Sequence, residues 1–411
     1  MAKNKPITYA SIVPLIGGEN FGIHASLNGQ LPEYVLSYTP FQHNDKHYIE
    51  YLRKQKQWKG DYVFLDEKPD YKAKRVDAVN AVCPCAGLSA LSGASNANSP
   101  TNDWIYKSAE YVLETIKPTV FWGENAPALG TLKGRPVADK LHGIARKNGY
   151  SLTLYSTESR LHGLSQKRAR CFYFLVKGDR APILNRFNRP PEAVEDILNL
   201  PAIPDDPMDI LINKDDPMDC AWLRYCMEQE GCTTIKQYHK KITKSVGVLR
   251  QSVEHYAERD MDKILSWLAT KNFNASYTRR AESIKKKVTA GMGYWAHNVT
   301  LLKGVMPAFV SWLPYVGINA QKNRYLTIRE ALRIMKMPDD FMLASVKPLD
   351  EINHICQNVP VTTAKDMADE VTRIINGACE FSDSSYIRQC NKNGEIVSRI
   401  DTPISTLSAF L

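Results

Sequence analysis

The first 180 residues alternate between short apolar runs and amphipathic stretches of helical period. The apolar runs that predict buried strands cover residues 8–16, 34–38, 77–82, 119–124, 151–157 and 171–176, and two helices are predicted over about 103–116 and 136–148. Strands that alternate with helices favour a parallel sheet with helices on both faces. The sequence therefore predicts an α/β fold, a Rossmann-like, doubly wound and mostly parallel sheet.

Distinctive residues stand where these predicted strands end. The first run stops at Gly17 and Gly18, the third leads to Cys85, and the 119–124 run ends at Glu124. Open sheets of this class bind ligands at the carboxyl ends of their strands. We therefore expect these residues to mark a site at that edge.

The composition changes after Lys177. Residues 180–215 are rich in proline and aspartate, and residues 220–290 have helical patterns with basic runs. Such a change indicates the entry to a second domain. The predicted organisation is a catalytic domain at 1–179, a smaller and largely helical domain at 180–323, and a return segment at 324–411 that completes the first domain and ends in a tail.

Charge and cysteine content restrict the setting of the protein. The net charge of +9 and the pI near 8.9 suit a face that contacts phosphates, or an ordinary basic enzyme. The nine cysteines show no CxxC pair, which predicts free thiols, a reducing compartment and no structural zinc; we expect no metal. Because no stretch approaches the ~20 apolar residues of a membrane span, a soluble, cytoplasmic protein is expected.

Cys85 and Glu124 are the candidate chemical groups. A cysteine in isolation is often a small buried hydrophobe. The Pro-Cys sequence at a strand end, followed by a loop rich in glycine and serine, favours an exposed thiolate nucleophile instead. Glu124 in isolation is typical of a solvated carboxylate, but its position after the apolar TVFW run places it at the sheet edge.

Five segments carry a specific resemblance. In order, VCPCAGLS, WGENAP, GLSQKRARCFYFLV, RYLTIREALRIMKMPDDF and CQNVPV resemble the signature blocks of the cytosine-5 DNA methyltransferase family. One short match is weak evidence, whereas five in order over nearly the whole chain are strong. The resemblance implies methyl transfer from S-adenosylmethionine to carbon 5 of cytosine in double-stranded DNA, with residues 180–323 as the target-recognition region.

The resemblance also implies roles for single residues. Cys85 corresponds to the nucleophile that adds to carbon 6 of the base, and Cys83 to a packing residue. Glu124 would hold a proton or hydrogen bond at nitrogen 3, Arg170 would bind the base oxygen, and Arg168 would position base or loop. Exposed arginines can equally contact phosphates. The chemistry requires the cytosine to leave the stack.

The cofactor blocks match the family less well. Gly17, Gly18 and Asn358 are kept, and Asp61 is the expected partner of the adenine amine, with Asp66 as the competing choice. The departures are Val13 for an aromatic residue, Leu15 and Gln357 for glycines, Ala86 for glutamine, and Thr39 and Pro40 where an acidic residue binds the ribose. They leave open a modified pocket, weak binding or a related cofactor, and suggest a divergent phage or mobile-element member.

Two other functions stay open at this point. A branch of the same family methylates RNA, and nothing in the nucleophile loop excludes that substrate. A catalytically silent DNA-binding relative would explain the poor cofactor block, although the presence of Cys85, Glu124, Arg168 and Arg170 together argues against it.

Overall fold

The computed structural model describes residues 6–84, 87–89, 96–220, 222–242, 249–270, 273–293, 300–310 and 313–398. Contacts between residues divide the chain into two units. The first, here called the sheet unit, comprises 1–192, 332–347 and 354–411; the second, called the helical unit, comprises 193–331 and 348–353. Cys85 lies outside the described residues.

Most of the longer strands belong to one sheet. The strands are β1 Tyr9–Ile12, β2 Tyr34–Ser37, β3 Asp61–Phe64, β4 Ala78–Ala81, β5 Val120–Asn125, β6 Tyr150–Glu158, β7 Gln166–Lys167, β8 Ala169–Lys177, β9 Pro182–Ile183, β10 Thr300–Leu301, β11 Met306–Pro307, β12 Gly317–Asn319, β13 Arg324–Tyr325, β14 Glu380–Phe381, β15 Tyr386–Cys390 and β16 Ile396–Ser398. Nine of them form a sheet in the order β16-β15-β6-β8-β5-β4-β1-β2-β3.

The sheet is mostly parallel. Strands β3, β2, β1, β4 and β5 run parallel to one another, and β15 runs parallel to β6. Strand β8 lies antiparallel between β5 and β6, and β16 is antiparallel to β15. The predicted α/β class with a mostly parallel sheet is confirmed. The carboxyl ends of β1, β2, β3, β4 and β5 therefore share one edge.

The described helices agree with the predicted pattern. They are α1 Gly18–Ser26, α2 Gln42–Gln55, α3 Asp103–Tyr111, α4 Arg135–Lys147, α5 Val194–Leu198, α6 Pro217–Cys220, α7 Leu223–Gln229, α8 Ile235–Ile242, α9 Leu249–Thr270, α10 Ala275–Thr289, α11 Leu313–Val316, α12 Ile328–Ile334, α13 Ile352–Gln357 and α14 Val361–Ile375. Helix α3 continues into a π-helical turn over Val112–Ile116. Within the described part of the chain, no helix is both long and apolar enough to cross a membrane.

Each unit has its own apolar core. In the sheet unit, Trp122 on β5 stacks on Phe174 of the neighbouring strand β8, with ring centroids 6.0 Å apart and planes 11° from parallel. In the helical unit, buried side chains of α7 to α10 pack around Trp222 and Tyr238. The large aromatic areas buried in this way supply much of the stability of each unit.

A capping box begins α12 and explains the Leu-Thr-x-Arg-Glu block. Glu330 accepts a hydrogen bond from the Thr327 backbone N–H (3.0 Å), and the Glu330 N–H donates to the Thr327 hydroxyl (3.2 Å). Two otherwise unpaired donors of the helix start are thereby satisfied. Arg324 adds a two-pronged contact to the same carboxylate, with both N–O distances at 2.9 Å.

Candidate active site

A strained turn connects β1 to α1. Val13 and Leu15 adopt positive φ angles of 49° and 52°, and Gly17 follows at 90°. Positive φ is costly for residues with a side chain, most of all for a β-branched one. The left-handed backbone thus exists at Leu15, where the family has glycine, although the residue that makes it inexpensive is absent.

The two glycines of this turn allow close packing. A Cβ at Gly17 would lie 2.3 Å from the ring of Tyr48, and one at Gly18 would lie 2.0 Å from the Val359 carbonyl oxygen. Neither position can accept a side chain without displacing its neighbours. The Gly18 N–H donates to the Asn358 side-chain oxygen at 2.8 Å. Three of the four residues predicted to bind the cofactor therefore meet at the carboxyl end of β1.

Asp61, the fourth, lies elsewhere. It starts β3 and pairs with Tyr34 at the start of β2, so it stands at the amino ends of these parallel strands. Its exposed carboxylate accepts a hydrogen bond from the Tyr71 hydroxyl at 3.0 Å. The structure does not bring Asp61 to Gly17 and Gly18, whereas the competing residue Asp66 follows the carboxyl end of β3.

A cavity of about 250 Å³ opens beside Asp66. Its lining is formed by Tyr38, Leu65, Asp66, Pro69, Trp104, Lys107 and Tyr111. The rings of Tyr38 and Trp104 are 4.7 Å apart, and the Asp66 carboxylate accepts the Thr39 N–H at 2.9 Å. The cavity lies at the carboxyl ends of β2 and β3, where this fold class binds cofactors. Sequence reasoning missed its aromatic wall.

Asp45 supplies a buried carboxyl group to this edge, from helix α2 rather than from the end of β2. It accepts hydrogen bonds from the Leu15 N–H (2.9 Å), the Tyr62 hydroxyl (3.3 Å) and, at short range, the Ser37 hydroxyl. Burial raises the pKa of Asp45 to about 7, against the lowering effect of these hydrogen bonds. The sequence signal was only that Asp45 is the first carboxylate after β2.

Arg168 is buried, with 1% of its surface exposed. Its guanidinium donates to the Asn358 carbonyl oxygen at 3.0 Å, so Asn358 joins Arg168 to Gly18. A side chain this deeply buried does not suit the phosphate or solvent contact that exposed arginines make. The geometry instead suits the positioning of a loop.

Glu124 and Arg170 form an ion pair at the ends of the neighbouring strands β5 and β8. The Glu124 carboxylate is nearly buried, and the Arg170 side chain is 17% exposed. The pair leaves the arginine accessible from one side. Strand β4 lies beside β5 with Ala81 opposite Gly123, so the segment leading to Cys85 starts next to Glu124.

Cys83 is a buried thiol at the end of β4. Its sulfur lies 3.6 Å from the Ser108 hydroxyl, and burial raises its pKa to about 12. A thiol with this pKa stays protonated at neutral pH and is a poor nucleophile. This agrees with a packing role for Cys83 and leaves Cys85 as the reactive candidate of the Pro-Cys sequence.

A doubly wound sheet, a glycine turn and a paired carboxylate and arginine at one edge define a Rossmann-like transferase. The C-5 cytosine-specific DNA methylase family model matches residues 17–373, and the chain belongs to that family. It is a DNA cytosine methyltransferase, and the members of this family take their methyl group from S-adenosylmethionine. A comparison with curated protein sequences gave no significant match.

Solved structures show the same fold. A DNA modification methyltransferase encoded within an E. coli prophage has 14% identity and a TM-score of 0.51, with 90% of this chain and 99% of that chain covered. A methyltransferase of Entamoeba histolytica has 12% identity and a TM-score of 0.52, with 91% of this chain and 99% of that chain covered.

Proposed function

We propose that the chain methylates carbon 5 of a flipped-out cytosine in double-stranded DNA through a covalent adduct of Cys85. The observation that carries the proposal is the Glu124–Arg170 pair beside the strand that leads to Cys85. Carbon 5 of cytosine is a weak nucleophile. Addition of the Cys85 thiolate to carbon 6 would convert the ring into an enamine-like species that attacks an electrophilic methyl group.

Glu124 and Arg170 would stabilise the charge that this addition places on the ring. Arg170 would donate to the base oxygen, and Glu124 would hold a proton or a hydrogen bond at nitrogen 3. Their pairing in the absence of DNA keeps the nearly buried carboxylate compensated until the base enters. The base would then exchange part of that pairing for hydrogen bonds to itself.

The cofactor site would lie along the ends of β1, β2 and β3. The cavity walled by Tyr38 and Trp104 offers aromatic faces for a purine, and Asp66 would serve the adenine amine in place of Asp61. Gly17 and Gly18 allow the close backbone approach that the amino-acid part of the cofactor needs. S-adenosylmethionine supplies an electrophilic methyl group when bound.

Arg168 and Asn358 would hold the turn in place. Asn358 accepts from the Gly18 N–H through its side chain and from Arg168 through its carbonyl oxygen. Both hydrogen bonds are buried, which makes their loss costly. Arg168 would thus act on the cofactor turn through Asn358 and not on the base.

The helical unit would contact the DNA backbone. Residues 236–287 contain thirteen Lys and Arg against five Asp and Glu, which accounts for +8 of the chain's net charge of +9. On α10, Arg279, Lys286 and Lys287 are exposed. Lysine and arginine side chains on one helix suit phosphate contacts that fix the protein on the duplex.

Salt-dependent binding tests this surface. Neutralising these three residues as R279Q/K286Q/K287Q should lower the slope of log affinity against log salt by about 0.9 for each phosphate that the variant no longer neutralises. The matched control is K54Q/K74Q/K147Q in the sheet unit, where the lysines are equally exposed. Equal slopes for the two triple variants would contradict the assignment.

Covalent trapping tests the nucleophile. A random-sequence duplex pool in which 5-fluorocytosine replaces cytosine should accumulate an adduct, because fluorine cannot leave carbon 5 as a proton does. Peptide mapping should place the adduct on Cys85, C85A should form none, and C83A should still form it. An adduct on another residue, or none with the wild type and S-adenosylmethionine, would refute the mechanism.

A further inference from the structure

Three consecutive residues at the start of α1 reach three different elements. Gly18 donates to Asn358, Asn20 donates through its side chain to Ser11 of β1 (3.1 Å), and Glu19 accepts from the side chain of Asn80 on β4 (2.9 Å). All of these groups are buried. The helix start behind the glycine turn is therefore fixed at three points.

The Glu19 contact is the unusual one. Glu19 has no exposed surface, and among the described residues its second carboxyl oxygen has no hydrogen-bond partner. Burial raises the pKa of Glu19 well above its usual range; the hydrogen bond from Asn80 opposes this change, and the charge of Glu124 adds to it. Glu19 is therefore a neutral acid at physiological pH.

Asn80 occupies a central place in the site. It lies on β4 between Ser11 of β1 and Trp122 of β5, one residue before the end of the strand. The same strand leads to Cys85, and Glu124 follows Trp122 by two positions. A contact from α1 to Asn80 thus links the glycine turn to the strand that leads to the nucleophile.

We propose that Glu19 is a positioning residue that sets the distance between the Gly17–Gly18 turn and strand β4, and hence between methyl donor and target base. The proposal rests on the proposed function. A buried acid with an unpartnered oxygen costs stability that an apolar side chain of similar size would not cost. What it adds is a directional contact, because a hydrogen bond fixes both distance and angle.

The consequence concerns the transfer step alone. Methyl transfer needs the reacting atoms about 3–3.5 Å apart, and a displacement of about 1 Å can cost roughly 100-fold in rate. Addition of Cys85 to the base needs no methyl donor. Loss of the Glu19–Asn80 hydrogen bond should therefore slow methylation and spare the addition.

Two rates measured on the same protein separate these steps. The first is methylation of duplex DNA with S-adenosylmethionine. The second, without cofactor, is exchange of the cytosine carbon-5 hydrogen in D2O: the thiolate adds to carbon 6, carbon 5 takes a deuteron and loses its proton, and elimination restores base and thiolate. E19A should lower methylation 10-fold or more and leave exchange within twofold of wild type.

Other variants keep the test decisive. E19Q retains an oxygen that accepts from Asn80, so it should preserve both rates. N80A breaks the hydrogen bond from the other side and should reproduce E19A, and the double variant should be no slower than either. Parallel loss of exchange and methylation, or full methylation by E19A, would overturn the proposal. If the wild type itself showed no exchange, the Cys85 mechanism would fail, and this proposal with it.

Discussion

The buried carboxyl group of Asp45 predicts a distinct dependence of stability on pH. An aspartate in the unfolded chain has a pKa near 4, whereas burial raises the pKa of Asp45 in the folded protein to about 7. Between these values the folded state holds one proton more than the unfolded state. The contribution of Asp45 to stability is therefore complete below about pH 4 and is lost as the pH rises through 7.

The size of this contribution follows from the two pKa values. A difference of about three pH units corresponds to about 4 kcal/mol, of which roughly 3 kcal/mol is lost between pH 5 and pH 8. The substitution Asp45→Asn removes the titrating group. It keeps an oxygen for the Leu15 N–H and places an amide beside the Ser37 hydroxyl, so the packing of the turn is retained.

Urea unfolding followed by tryptophan fluorescence measures the effect. From pH 5 to pH 8 the unfolding midpoint of the wild type should fall further than that of D45N, by about 0.5 M or more. The comparison of two slopes removes the contribution of every other titrating group. Parallel midpoints, or a larger fall for D45N, would refute the assignment of a neutral Asp45 at acidic pH.

Three further predictions concern the cofactor site and the helical unit. W104A removes one aromatic wall of the cavity and should weaken S-adenosylmethionine binding about tenfold in calorimetry; an unchanged Kd would place the adenine elsewhere. R168M removes the hydrogen bond to Asn358 and should weaken cofactor binding about tenfold without changing the salt dependence of DNA binding; a shallower salt slope would instead show a phosphate contact. E330A removes the capping box and the contact to Arg324, and should lower the stability of the helical unit by about 3–5 kcal/mol; a thermal unfolding profile equal to that of the wild type would contradict it.

The sequence was sufficient for the sheet and for the edge where the site lies. Strand ends at Gly17, Ala81 and Asn125 follow from apolar runs that stop at glycine, proline or polar residues. Parallel strands bring such ends to one edge, so the approach of Glu124 to the segment that leads to Cys85 was predictable. The pairing of Glu124 with Arg170 was not, because β8 runs antiparallel between β5 and β6 and register is set by tertiary packing.

The cofactor site was less predictable because it depends on contacts distant in sequence. Asp45 reaches Leu15 from a helix 30 positions later, and Asn358 reaches Gly18 across 340 positions. No local pattern distinguishes Asp61 from Asp66, since the choice depends on which end of β3 each occupies. Strand direction decides it: Asp66 follows the carboxyl end.

The burial of Arg168 and Glu19 was also beyond sequence reasoning. Arginine and glutamate are almost never fully buried unless paired, so an exposed position was the ordinary expectation for both. Each is buried because one hydrogen-bond partner lies deep in the sheet unit, Asn358 for Arg168 and Asn80 for Glu19. Such partners are recognisable only once the fold is known.

The most direct test of the account is a mass-spectrometric nucleoside analysis of plasmid DNA from cells that express the wild type or Cys85→Ala. The account predicts 5-methylcytosine above the host background with the wild type and none with the variant, at equal protein levels. The same amount of 5-methylcytosine with both proteins would contradict the role of Cys85. Its absence with a folded, DNA-binding wild type would contradict the assigned reaction itself.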